Sequence, residues 1–136
     1  MKMRLKIVTP EGETYSDDVD MVVLPGVEGE FGVLPQHAPL LTQIKPGELH
    51  VKKGIEDIWM AVGQGFVDVG SDHVSVLTDM AVDEKEIDEA AAKEAIERAE
   101  KAKHDENLND EEVAAVEATI ERSLAQLHVK LRRRGK

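Results

Sequence analysis

The groups best able to do chemistry in this chain of 136 residues are five histidines, His37, His50, His73, His104 and His128. No two stand at the helical spacing that would put both imidazoles on one face, and no carboxylate is arranged around them as in a zinc-protease motif. Without any cysteine, thiolate metal sites, disulfides and cysteine nucleophiles are excluded too. The expected metal complement is none. Ser16, Ser71, Ser75 and Ser123 lack the context of a nucleophile elbow and read as turn, strand-surface or helix-surface hydroxyls. Gly26-x-x-Gly29-x-x-Gly32 lacks the Gly-Lys-Ser/Thr of a phosphate loop. It also leads into Leu34-Pro35 instead of a helix, so tight turns and bulges between strands are expected. The expected catalytic set is therefore none.

Two segments remain unusual. From Gly29 to Leu41, glycines and prolines flank the single His37, which predicts a rigid, exposed corner. The chain's end is the other: all 28 acidic residues precede Arg122, whereas Arg122, Lys130, Arg132, Arg133, Arg134 and Lys136 follow with no acid among them. The formal net charge of −11 is thus an average over an acidic body and a basic tail. Cations near a helix C-terminus stabilise it by about 0.3–1 kcal/mol each, but three consecutive arginines exceed what a cap requires. The acidic body gains nothing from counterion release, which argues against nucleic acid and anionic lipid as partners of the whole chain. Four aromatic residues, Tyr15, Phe31, Trp59 and Phe66, are too few for stacking platforms. No secretory core and no run of about 18 apolar residues is present, so no direct membrane insertion is expected.

The elements that must carry these groups change class along the chain. All five prolines and nine of ten glycines lie at or before Gly70. There Met3, Leu5 and Ile7 alternate with Lys2, Arg4 and Lys6, and Val19, Met21 and Val23 alternate with Asp18 and Asp20. Period two means strands with one wet face. Turn signals every eight to twelve residues or so predict a small antiparallel β-sandwich or barrel. From about Asp83 the chain is rich in Ala, Glu and Lys, strong helix formers. Asp88 is the expected cap of a helix to about Lys103, and Asn109 with Glu112 has the spacing of a capping box for a second. Val113, Val116, Ile120, Leu124, Leu127 and Leu131 form one stripe on that helix, with Ala91, Ala95, Ala99, Ala102 and Ile96 expected opposite. The fold expected is an N-terminal antiparallel β-sandwich, residues 1–84, followed by a C-terminal two-helix antiparallel hairpin, residues 85–136. A seam largely of alanine on one side buries little area, at roughly 25 cal/mol per Å². Such a hairpin is marginal by itself and is expected to dock on the sandwich or on another protein.

Gly26-x-x-Gly29-Glu30-x-Gly32-x-Leu34-Pro35-x-His37-Ala38-Pro39-Leu40-Leu41, then Ile44-Lys45-Pro46-Gly47 and Gly63-x-Gly65-Phe66-Val67-Asp68-Val69, resembles the epsilon subunits of bacterial F-type ATP synthases over nearly the whole chain. The resemblance implies a non-catalytic rotor subunit of the central stalk, peripheral on the cytoplasmic side of the cell membrane. It implies that the subunit couples proton translocation to ATP synthesis, with a sandwich bound to the gamma subunit and the ring of c subunits. The mobile hairpin is implied to extend toward the alpha/beta hexamer and restrain ATP hydrolysis. By the same resemblance Glu30 lies near the c ring and His37 near gamma. Arg122, Lys130, Arg132, Arg133 and Arg134 are implied to meet an acidic loop of beta. Some relatives bind ATP through Ile or Leu, Asp, two variable residues, Arg and Ala. Here Ile87, Asp88 and Ala92 match, but Ala91 replaces the arginine. Arg122 remains on the second helix while Gln126 replaces another arginine, so no cofactor is expected. The competing reading from composition alone is a stand-alone interaction module with a basic docking tail.

Overall fold

A computed structural model describes residues 1–134. Ten strands come first: β1 Met3–Thr9, β2 Gly12–Val19, β3 Met21–Gly26, β4 Gly29–Val33, β5 Leu40–Ile44, β6 Gly47–Lys53, β7 Glu56–Val62, β8 Gly65–Val69, β9 His73–Thr78 and β10 Ala81–Asp83. They are ordered β10-β7-β6-β3-β5-β8-β9-β1-β2, with β4 paired to the other side of β3. The two halves of this path meet through one residue pair, Gly26 with Ile44, and close over a common core. Alternation decides which side chains enter it: Met3, Leu5 and Ile7 are buried while Arg4 and Lys6 between them are exposed. Leu24, Leu49, Val62, Val67 and Val76 complete the same cluster from other strands. The pairings are antiparallel except β1 with β9, which run parallel. No hairpin joins these two, so no turn dictates their relative direction.

At the tip of the β3–β4 hairpin, Gly26 pairs with Gly29 across a two-residue turn. Gly29 has φ +132°, and a Cβ on Gly26 would lie 2.7 Å from the Gly29 carbonyl oxygen. The three-glycine run is therefore a turn, as its lack of phosphate-loop residues predicts. The corner beyond it contains Gln36 at φ 69°, pinned by a 2.6 Å hydrogen bond from its N–H to the Ser71 carbonyl.

A 3-10 turn at Glu84–Glu86 leads into helix α1, Glu89–Lys103, and then α2, Asp110–Arg134. The Asp88 carboxylate accepts from the Ala91 N–H at 3.0 Å. Asn109 and Glu112 exchange the two bonds of a capping box, at 2.8 and 3.3 Å. The seam between the helices departs from expectation. Ala92 and Ala99 are its buried alanines, while Ala91 and Ala102 are exposed. Ile120 is buried, but Leu124 and Leu131 are 49% and 42% exposed. Length explains this: α1 has 15 residues and α2 has 25, about 22 and about 37 Å. The last turns of α2 run past the start of α1 and onto the sandwich, where a different face turns inward. Ser123, expected at the helix surface, is buried there as well.

Candidate functional site

The second half of α2 lies on the outer face of β6, β7 and β10. Its one fully buried apolar contact is Val129, packed with Ala61 and Ile87 and flanked by Trp59, Met80 and Val82. Around this small centre the helix docks through polar side chains. Arg122 donates to Asp79 Oδ2 and to Thr119 Oγ1, each at 3.3 Å. Gln126 Nε2 approaches the Met80 sulfur at 3.1 Å. Lys130 donates to the Glu84 carbonyl at 3.2 Å and faces its carboxylate at 4.0 Å.

At the far end Arg132 Nη1 and Arg133 Nη2 both donate to Glu48 Oε1, at 3.2 and 3.4 Å. Arg133 Nε faces Glu48 Oε2 at 3.4 Å, with side-chain exposures of only 7% and 9%. The Arg133 guanidinium carbon sits 3.6 Å from the centre of the Trp59 ring. His50, the cross-strand partner of Trp59, stacks on that ring at 3.8 Å with an interplanar angle of 6°. Two groups this close to one ring centre must occupy its opposite faces. The His50 Nε2 reaches Asp57 Oδ1 at 2.7 Å, and this hydrogen bond holds the Asp57 carboxyl below its ordinary pKa.

Four of the five cations expected to face an external acidic loop, Arg122, Lys130, Arg132 and Arg133, are thus engaged by the chain's own Asp79, Glu84 and Glu48. The side chain of Arg134 lies outside the described residues. Sequence reasoning did not single out these acceptors, nor Trp59 as a docking surface. Their one advance signal is weak: Glu48 and His50 are polar members of the β6 alternation, and Trp59 is the single tryptophan of the sequence.

The ATP candidates are not arranged as a polar pocket. Ile87 is buried with Ala61 and Val129, Ala92 is buried on α1, Asp88 caps that helix, and Arg122 is on Asp79. Glu30 is exposed on β4. The His37 Nδ1 is 2.6 Å from the Ala38 carbonyl in the rigid corner. Beside that corner the sandwich exposes Val27, Leu40, Leu41, Phe66 and Leu77, where Gln43, Phe66, Leu77 and Val8 follow one another across β5, β8, β9 and β1. An open cleft of about 800 Å³ adjoins Phe66 and Leu77 and reaches Glu121 of α2. Among the described residues no cluster of His, Asp and Glu suited to a metal occurs, and no helix is long and apolar enough to cross a membrane.

Comparison with known proteins gives a consistent result. Residues 2–84 match the family model for the β-sandwich domain of the ATP synthase delta/epsilon chain. An ATP synthase epsilon chain from Dehalococcoides mccartyi strain BAV1 is 44% identical over 133 residues, covering 98% of this chain and 95% of the relative. The epsilon chain of Herpetosiphon aurantiacus is 42% identical over 134 residues, with 98% of each chain covered. In overall shape the chain is similar to one in the Euglena gracilis mitochondrial ATP synthase. The TM-score there is 0.74 at 22% identity, covering 99% of this chain and 82% of that one. At that identity the likeness speaks for the fold.

Proposed function

The chain belongs to the ATP synthase epsilon-chain family, and from that premise we propose that it is a central-stalk subunit that binds gamma and the c ring and restrains ATP hydrolysis by extending its hairpin. An epsilon chain is a non-catalytic subunit of the synthase, so its work lies in contacts. The exposed Val27, Leu41, Phe66 and Leu77 offer the apolar area that a permanent partner such as gamma requires. The stiff corner with Glu30 and His37 is suited to a torque-bearing contact with the c ring and gamma on the cytoplasmic face of the membrane. Proton translocation would be coupled to ATP synthesis through these contacts.

One observation carries the regulatory part. The second half of α2 docks through its polar edge and leaves Leu124 and Leu131 facing water. A helix that buried its best apolar stripe would gain roughly 25 cal/mol per Å², so the docked arrangement leaves apolar area that a second arrangement along other subunits can use. In that extended state the basic end meets the alpha/beta hexamer. Deleting residues 131–136 is expected to raise ATP hydrolysis by the assembled enzyme about fivefold or more, the low end of typical coupling between sites. Unchanged hydrolysis rejects the restraint.

ATP is not a regulatory ligand in this proposal. A phosphate would need charge-assisted hydrogen bonds of about 1.5–3 kcal/mol each, Ala91 offers none, and Arg122 is paired with Asp79. Titration calorimetry of the isolated chain with ATP is expected to give no heat of binding, and a low-micromolar dissociation constant would overturn this part.

A further inference from the structure

We propose that Glu48 and Trp59 form a guanidinium receptor on the outer face of the sandwich, whose ligand is the chain's own Arg133, and that its occupancy sets how often the hairpin is docked. A carboxylate and an aromatic face are the two groups that recognise a planar cation most selectively, one by paired charge-assisted hydrogen bonds and the other by cation–π contact. Both converge on Arg133 here, within 3.4 Å of Glu48 and 3.6 Å of the Trp59 centre. The other contacts that hold the receptor come from the sandwich and not from α2. His50 backs Trp59 from the other face, Asp57 fixes His50, and the β6–β7 register places all of them side by side. Glu48 Oε2 and Arg133 Nε are both buried with no hydrogen-bond partner besides this mutual approach. Removing Glu48 therefore leaves the buried Arg133 Nε without compensation, whereas Glu48 without Arg133 keeps only the more exposed Arg132.

The receptor and an external acidic surface compete for the same arginines, because Arg132 and Arg133 both point at Glu48. Glu48 is thereby a positioning residue: it holds the hairpin in the docked state and keeps its basic end from the partner. This regulatory consequence rests on the function proposed above, whereas the docking itself rests on the geometry alone.

Trp59 is the only tryptophan in the chain, so its fluorescence reports on the receptor directly. In the isolated full-length chain, Glu48→Gln and Arg133→Lys are each expected to make Trp59 more accessible to acrylamide. Each is also expected to speed amide exchange in α2 from Ala125 to Arg133 about tenfold, as loss of a charge-assisted hydrogen bond would, with β1 and β9 unchanged. Arg133→Lys keeps the charge and removes the planar fork, so it separates recognition from simple attraction. The double variant is expected to be no looser than Glu48→Gln alone. Unchanged quenching and exchange in both single variants overturn the receptor, as does a uniform acceleration across β1 and β9. In the assembled enzyme Glu48→Gln is expected to lower ATP hydrolysis, opposite to deletion of residues 131–136. A loosened hairpin with unchanged hydrolysis would retain the receptor and overturn its regulatory role.

Discussion

Gly63 and Gly65 stand two residues apart, yet their missing side chains serve different purposes. A Cβ on Gly65 would lie 1.9 Å from the Leu77 carbonyl oxygen and 2.8 Å from the Thr78 Cα. Those atoms belong to the paired strand β9 and cannot withdraw without opening the ladder. A Cβ on Gly63 would instead lie 1.7 Å from Asp79 Oδ1 and 2.9 Å from Asp79 Cγ, atoms of a side chain that can swing away. Gly63 thus makes the niche in which Asp79 sits to receive Arg122. Gly65→Ala is expected to destabilise the sandwich by about 3 kcal/mol or more, at or above the top of the usual range for overpacking, and Gly63→Ala by about 1–2 kcal/mol, within it. The two mechanisms separate in an Asp79→Ala background. There the penalty at Gly63 should nearly vanish, because the next atom, Met80 N, is at 3.4 Å, while the penalty at Gly65 should persist. Urea unfolding of the single and double variants measures both.

At the scale of elements, the helix starts are the most legible part of the chain because their chemistry is local. Asp88 and the Asn109 and Glu112 pair bond to backbone groups three residues away, and nothing distant can redirect them. Asn109→Ala is expected to lower the stability of α2 by about 1 kcal/mol, a typical N-cap loss. Because the box is reciprocal, adding Glu112→Ala should cost less than its effect alone; helical circular dichroism during urea titration would show it. The strand alternation of β1 is legible for the same reason, since period two has one meaning wherever one face is buried. The parallel β1–β9 pair is not, as no turn between the two records it. Nor is the docking face of α2. The strongest apolar period on that helix runs through Leu124 and Leu131, and a sequence reading follows it, but in the second half the inward face is Arg122, Gln126, Val129 and Arg133. Long polar residues cover apolar surface with their stems while their heads find partners. Those partners lie 43 to 85 residues earlier in the chain. Pattern within a helix carries no information about acids on a distant strand, so Glu48 and Asp79 became visible only in three dimensions.

For the whole molecule, the function proposed above gives α2 two separable faces, one for the docked hairpin and one for the extended one. The polar edge with Arg122, Lys130 and Arg133 holds it on the acidic body of the same chain. Leu124 and Leu131 contribute little to that state, being 49% and 42% exposed, and the proposed function assigns them to contacts made in the extended one. Replacing both, Leu124→Gln with Leu131→Gln, should therefore change the unfolding free energy of the isolated chain by about 0.5 kcal/mol or less, as surface substitutions do. Substituting the buried Val129 by Ala is the opposite case. That change should cost about 1–2 kcal/mol through lost transfer energy and a small cavity, and it should loosen the docked hairpin. In the assembled synthase the order should reverse. The leucine pair should relieve the restraint on ATP hydrolysis, because the extended helix has lost the stripe with which it would pack. Val129→Ala should deepen the restraint by weakening the docked competitor. Denaturation of the isolated chain and hydrolysis by the complex are independent measurements, and equal effects of the two substitutions on both would mean that α2 serves a single position. Under the function proposed above, the leucines left toward water here are the ones the extended helix packs, and Arg133, only 7% exposed in the docked state, is released as they are covered.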